Sequence, residues 1–158
     1  GGAGFIGSHL LKRLLSESLE DADGIDRPEH DFLENPEFPY ADIAYICAGI
    51  NGFEACEVNR LSYRVNVDGT LGTVRKLLKQ GSFVVWVSSC SVEWALTAYS
   101  FQKALVETAL QMQPNVGIVR SGRARNDLDG LCNTIIRVGR KRIEGITVWN
   151  GYDKGDSV

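Results

Sequence analysis

Glycine recurs at positions 1, 2, 4 and 7, and the run Gly1-Gly2-Ala3-Gly4-Phe5-Ile6-Gly7 leads directly into Ser8-His9-Leu10-Leu11-Lys12-Arg13-Leu14-Leu15. Gly1, Gly4 and Gly7 spell GxxGxxG, while Gly2, Gly4 and Gly7 spell GxGxxG. Glycines at this spacing let backbone amides approach a diphosphate at the start of a helix, where the dipole and unpaired N–H groups hold an anion. Leu10, Leu11, Leu14 and Leu15 share one helical face, so the spacing predicts an amphipathic helix behind the turn, ending near Leu19. The plain alternative is a tight turn before such a helix. In a dinucleotide-binding unit the glycines follow a buried strand. No strand precedes Gly1, and the natural chain is expected to continue upstream.

A chain of 158 residues can bury one sizeable core. The formal charge of −3 argues against a nucleic-acid surface driven by net charge. Arg137, Arg140, Lys141 and Arg142 form the notable basic cluster and read as a solvated helix face, with a substrate phosphate as the lesser option. Cys47, Cys56, Cys90 and Cys132 are scattered, without a CxxC pair or metal-like spacing to His9 or His30, so no metal site is expected. Four such thiols fit a reducing cytosol better than a disulfide framework, and cytoplasmic is the expected location. No apolar run reaches membrane-spanning length.

Asp26 lies roughly twenty residues beyond the glycines, where the acidic ribose ligand of a dinucleotide fold belongs. Arg27 beside it would suit a 2′-phosphate, and a surface Asp-Arg turn is the alternative to both. NAD against NADP stays open. The flanking Gly24-Ile25 makes a poor second strand. Residues 28–41 hold three of the four prolines and read as loop, with one short strand expected near Asp31-Phe32. Residues 42–49 form a near-continuous apolar run closed by Cys47-Ala48-Gly49, as in a central parallel strand buried on both faces.

Residues 54–80 read as mostly helical, with Leu71, Val74, Leu77 and Leu78 at helical spacing before Gly81. Strands follow at 82–87, 115–120 and 146–149, with helices at 97–112 and after Leu131. The alternation implies an α/β fold, a doubly wound Rossmann-type parallel sheet with helices on both faces. Residues 1–125 read as the dinucleotide-binding domain, and 126–158 as the start of a substrate-binding region that is largely absent.

The second strand delivers Ser88-Ser89-Cys90-Ser91 to its carboxyl end, the edge where ligands bind in open α/β sheets. Beyond it, Tyr99-Ser100-Phe101-Gln102-Lys103 places a phenol and an amine four residues apart on one helical face. A nearby cation favours the phenolate and is expected to lower the tyrosine pKa toward the range of proton transfer. Ser89, with Ser88 in reserve, can hydrogen-bond the same substrate oxygen. Cys90 reads as a structural thiol more readily than as a second proton donor, and Trp86 as core.

Taken together, the glycine motif, Asn66 with Gly69-Thr70, the Ser-Ser strand end and YxxxK resemble the extended short-chain dehydrogenase/reductase family of NAD(P)-dependent epimerases, dehydratases and reductases. The Ala-Gly end of the central strand, Glu54-Ala55-Cys56-Glu57 and Val65-Asn66-Val67-Asp68-Gly69 are similar to reductases of nucleotide-linked 4-keto sugars; Glu107 fits the family's helix. The likeness covers about Gly1 to Arg123. It implies that Gly1, Gly4, Phe5 and Ile6 hold the diphosphate, Asp26 the adenine ribose, and that Cys47, Ala48 and Gly49 border the cofactor. Tyr99 would be the acid/base, Ser89 its polarising partner, and Lys103 would lower the tyrosine pKa and bind the nicotinamide ribose. It further implies a nucleotide-sugar substrate and a homodimer formed through the long middle helix and the YxxxK helix.

Two intervals depart from that pattern. Nine residues separate Ser89 from Tyr99, and the stretch from Asp26 to Asp42 is also short. Either the chain is a compact variant or residues are omitted, near 20–26, 33–41, 93–98 and 124–129; omission is the expectation. The readings from other classes are a non-catalytic dinucleotide-binding sensor or scaffold, and a reductase of a non-sugar ketone. A degraded sensor tends to lose the Tyr or the Lys, and this chain keeps both.

Overall fold

Phe83-Val84-Val85-Trp86-Val87 is apolar at every position, a pattern that only a strand covered on both faces can use. A computed structural model of the chain describes residues 1–17, 21–27, 29–122, 124–125 and 127–149. Its centre is a parallel four-stranded sheet in the order β1 (Ile43–Ile46), β2 (Phe83–Ser89), β3 (Val116–Ser121) and β4 (Gly145–Trp149). The register sets Ile46 against Trp86, Trp86 against Ile118 and Ser89 against Ser121.

Alternate β2 residues serve two cores. Phe83, Val85 and Val87 pack with Leu10 and Leu14 of α1 (Phe5–Ser16) and with Leu131, Ile135 and Val138 of α5 (Leu128–Arg140). Val84 and Trp86 pack with Val74 and Leu77 of α3 (Thr70–Lys79) and with Val106 and Leu110 of α4 (Ala98–Leu110). The expected strands at 42–49, 82–87, 115–120 and 146–149 all appear, and helices cover both faces. Residues 128–149, within the segment read as the start of a substrate region, supply α5 and β4 to this same sheet.

The stretch 54–80, read as mostly helical, is helical in three pieces. α2 (Phe53–Val58) ends where the Asn59 side chain accepts from the Leu61 amide, an Asx turn competing with the helical bond. The chain then forms one wide turn of π-helix, Arg64–Gly69, before α3. Gly81, with φ +89, closes α3; its amide and that of Ser82 satisfy the Leu78 and Leu77 carbonyls. The short strand expected near Asp31-Phe32 is instead a 3₁₀ turn, Phe32–Glu34, because the Asp31 carboxylate accepts from the Leu33 amide and curls the backbone. The expected end of the first helix near Leu19 lies outside the described residues.

α4 begins with a reciprocal cap: Thr97 Oγ1 accepts from the Ser100 amide and Ser100 Oγ accepts from the Thr97 amide. This cap starts the helix one residue before Tyr99 and so fixes where the YxxxK pair enters the site.

Candidate active site at the carboxyl edge of the sheet

The opening glycines are shaped by contacts of two different kinds. A Cβ on Gly1 would lie 2.5 Å from the Ala48 amide nitrogen, on Gly2 3.0 Å from Gly24 Cα, and on Gly7 1.9 Å from the Gly1 carbonyl oxygen. These three are glycine because backbone meets backbone. Gly4 differs: it is exposed, and its Cβ would meet only the Gly1 oxygen at 3.3 Å. Gly4 is also the N-cap of α1 and offers no side-chain acceptor, so the first-turn amides of Phe5, Ile6 and Gly7 lack intrahelical partners. The result is an uncapped helix N-terminus with an exposed glycine at its start, a cradle that an anion fits.

Asp26 sits behind this loop. Its carboxylate accepts from the Ala3 amide at 2.7 Å and the Arg27 amide at 2.9 Å. The Ala3 bond is the largest influence on its pKa and holds it below the usual carboxylate value. The Arg27 side chain is exposed, 4.0 Å from Asp31. Gly24-Ile25 forms no strand, yet the Ile25 carbonyl accepts from the Gly2 amide at 3.1 Å, tying the segment to the loop. Cys47 and Ala48 border Gly1 through their backbones. The Cys47 side chain packs into the α1/α5 core, and burial pushes its thiol up to about 12.

Ser89, Tyr99 and Lys103 are brought together by β2 and α4. Ser88 has the parity of Trp86 and faces α4, where its hydroxyl donates to Glu107 Oε1 at 2.6 Å. Glu107 also holds Arg120 of β3 in a two-pronged ion pair, at 2.7 Å in its shorter arm. Ser88 is therefore committed to Glu107; Ser89, which accepts from the Ser91 amide at 3.2 Å and pairs with the Ser91 hydroxyl at 2.9 Å, is the hydroxyl beside the Tyr99 phenol. The Lys103 ammonium donates to the Val87 carbonyl at 3.0 Å and lies 5.8 Å from the centre of the Tyr99 ring. Phe53, at the first turn of α2, meets Tyr99 edge to face at 5.8 Å and gives the phenol an apolar neighbour.

The electrostatics differ from expectation. Burial raises the Tyr99 pKa above the usual phenol value, against the lowering effect of the Ser89 hydroxyl. Lys103 does not reverse this, because its own charge is destabilised: burial pulls it down to about 8. Desolvation of the whole pocket outweighs the attraction that a four-residue spacing predicts. Cys90 turns aside, its thiol donating to the Trp149 carbonyl at 3.8 Å and raised by burial. Arg137 and Arg140 lie on the exposed side of α5 near the end that feeds β4, at the opposite edge from Ser89.

Asn66, named from the sequence by resemblance alone, and Gln102, inside YxxxK, take parts that only their contacts show. Asn66, in the π-helical turn, clamps residue 50: its Oδ1 accepts from the Ile50 amide at 2.8 Å and its Nδ2 donates to the Ile50 carbonyl at 3.0 Å. Nδ2 also donates to Gln102 at 2.8 Å, and Gln102 donates to Ser62. This buried chain fixes the loop after β1 to α4 between Tyr99 and Lys103. An Asn and a Gln at buried helical positions were the available signal; their partners lie 16 and 36 residues away.

Among solved structures, a short-chain dehydrogenase/reductase from Serratia marcescens matches with a TM-score of 0.69 at 14% identity, over 96% of this chain and 93% of that one. The two share a Rossmann-type fold. A hypothetical dTDP-4-dehydrorhamnose reductase from Sulfolobus tokodaii shares it at TM-score 0.68 and 19% identity, over 94% of this chain and 73% of that one. RMD from Pseudomonas aeruginosa, solved with NADPH, matches at TM-score 0.57 and 23% identity, over 76% of this chain. The chain spans about half, 51%, of the length of RMD. No family model and no curated protein sequence matches the chain. In this parallel-sheet fold the glycine loop and the Tyr-Lys helix meet at one sheet edge. Among the described residues no helix is long and apolar enough to cross a membrane, and no cluster of three His, Cys, Asp or Glu could hold a metal.

Proposed function

We propose that this chain is the dinucleotide-binding core of an NAD(P)-dependent oxidoreductase or epimerase, acting on the ketone or alcohol carbon of a nucleotide sugar, with Tyr99 as the acid/base. The observation that carries the reading is the convergence of Ser89, Tyr99 and Lys103 on the sheet edge that also bears the open glycine loop. The similarity to a structure described as a hypothetical dTDP-4-dehydrorhamnose reductase and to one solved with NADPH supports the substrate class and the cofactor.

The residues fit the cofactor in a definite way. Gly4 and the amides of Phe5, Ile6 and Gly7 would receive the diphosphate. Asp26, held ionised, would accept a hydrogen bond from an adenosine ribose hydroxyl, while Arg27 is the group that would meet a 2′-phosphate. Cys47, Ala48 and Gly49 would border the ring system through their backbones. The bound nicotinamide supplies or accepts the hydride.

The protein's own part is the proton. A raised pKa keeps the Tyr99 phenol protonated at neutral pH, so the ligand-free site is set to donate to a ketone oxygen rather than to accept from an alcohol. Ser89 would hydrogen-bond the same oxygen, and Lys103 would leave the Val87 carbonyl to bind the ribose. Phe53 and the half-buried setting of Tyr99 exclude water from one side. A homodimer through α3 and α4 and a cytoplasmic location belong to the same proposal.

The test is a binding titration of the purified chain with NAD, NADP and their reduced forms, followed by UDP-, GDP- and dTDP-linked keto sugars. Binding of one dinucleotide, with oxidation or reduction in the presence of one nucleotide-sugar class, is the expected result. Cofactor binding without turnover on any of them would leave a dinucleotide sensor or scaffold, or a reductase of a non-sugar ketone. No dinucleotide binding would end the reading.

The two serines separate in the same assay. Ser89→Ala is expected to lower turnover about 100-fold, with about 1 kcal/mol of stability lost because its hydroxyl also caps the turn at Ser91. Ser88→Ala removes a hydrogen bond to a buried carboxylate and is expected to cost about 1–3 kcal/mol of stability while sparing turnover. Thermal unfolding and kcat measured side by side check both.

A further inference from the structure

The Lys103 ammonium is buried, only 7% exposed, and among the described residues no carboxylate stands within ion-pair distance of it. The nearest acid on its own helix, Glu107, is bonded to Ser88 and Arg120 and favours the Lys103 charge only from a distance, without an ion pair. A buried ammonium without a counter-ion needs another source of negative potential. The Val87 carbonyl is one. The other is aromatic: Lys103 Nζ sits 4.7 Å from the centre of the Trp86 ring, within the distance at which a cation is held by the negative face of an indole. Trp86 is 1% exposed, central in β2 between Ile46 and Ile118. Its Nε1 has no hydrogen-bond partner among the described residues, although a buried indole N–H ordinarily finds one. The ring is oriented for its face and not for its N–H.

We propose that Trp86 is a positioning residue that holds the Lys103 ammonium beside Tyr99 with its indole face, in place of a carboxylate counter-ion. The proposal rests on the reading of Lys103 as a member of the site, and it adds what keeps that lysine charged and in place. The groups facing Lys103 are the Cys47 thiol from β1, the Cys56 thiol from α2, and Glu107 and Tyr99 from α4. Both thiols are raised by burial and neutral at pH 7, so neither supplies the missing charge. The Tyr99 ring, at 5.8 Å, is the weaker of the two aromatic neighbours. Burial draws Lys103 down to about 8, so any loss of π-face support shows directly in its titration.

The experiment follows the Lys103 side chain by lysine-selective NMR across pH 6–11, in the full chain and without substrate. Trp86→Phe keeps an aromatic face and is expected to shift the Lys103 midpoint little. Trp86→Leu removes it and is expected to lower the midpoint by about one pH unit, a tenfold loss of proton affinity. Should the leucine variant fail to fold, fluorinated tryptophan incorporated at the tryptophan positions weakens the ring quadrupole with nearly unchanged shape. The midpoint is then expected to fall stepwise with each added fluorine. A midpoint that stays put or rises in Trp86→Leu, or one that ignores fluorination, overturns the proposal. Lys103→Arg, which keeps the cation but does not titrate in this range, identifies the resonance. None of these readouts needs turnover, so a failed cofactor titration tells against the enzymatic reading alone.

Discussion

Tyr99→Phe is expected to reduce turnover by about 10³-fold while leaving dinucleotide affinity within a factor of about two, as loss of a general acid ordinarily does. The substitution removes one oxygen and keeps the ring that packs edge to face on Phe53 and lies beside Lys103. The fold should therefore be undisturbed, and a melting temperature equal to the parent's would confirm it. Single-turnover hydride transfer, measured with saturating cofactor, separates the chemical step from binding. The pH profile adds a second arm. Burial raises the phenol's pKa, so ketone reduction should stay fast through neutral pH and decline only as alkaline pH removes the proton. The reverse oxidation should rise over that same alkaline interval. A profile in which reduction already falls near pH 6–7 would mean that a different group donates the proton.

The second large effect separates two glycines of the opening loop. In Gly7→Ala the new methyl would stand 1.9 Å from the Gly1 carbonyl oxygen and 2.8 Å from its carbon. Both obstacles are backbone, so the loop must move away from β1 or α1 must shift. Overpacking of this kind costs about 1–3 kcal/mol, and because the loop itself is displaced the dinucleotide Kd is expected to rise about 10- to 100-fold. In Gly4→Ala the methyl meets nothing closer than 3.3 Å within the protein and points into the space left open over α1. The Gly1 oxygen need give by only a few tenths of an ångström, so that variant should lose far less stability than Gly7→Ala yet still lose dinucleotide affinity. Calorimetry paired with a binding titration distinguishes them, and equal stability losses in both would show that Gly4 is held open for packing and not for a ligand.

Much of this architecture is visible before any coordinates, and the reason is locality. A strand buried on both faces must be apolar throughout, as residues 83–87 are, and a phenol and an amine four apart on a helix must share a face. A serine pair at a strand end must place its two hydroxyls on opposite sides. Such rules depend only on backbone periods of 2 and 3.6 residues. Where a side chain competes locally with the backbone, as Asp31 and Asn59 do, the regular period breaks; there the 3₁₀ turn and the split middle helix escaped the sequence reading.

The chain's own order of residues therefore determined a glycine loop at a helix start, a layered parallel sheet and a Tyr-Lys pair following a Ser-Ser strand end. The tertiary structure alone decided which serine faces the phenol: Glu107 and Arg120 hold Ser88 from two other elements, while Ser89, bonded to Ser91, lies beside Tyr99. It alone placed Asn66 and Gln102 as the tie between the β1 loop and α4, and set Trp86 beneath Lys103. It also reversed the expected direction of the tyrosine's shift. Charge attraction between two neighbours on one helix can be read from their spacing, but desolvation sums over every group that closes around them, and no stretch of sequence contains that sum.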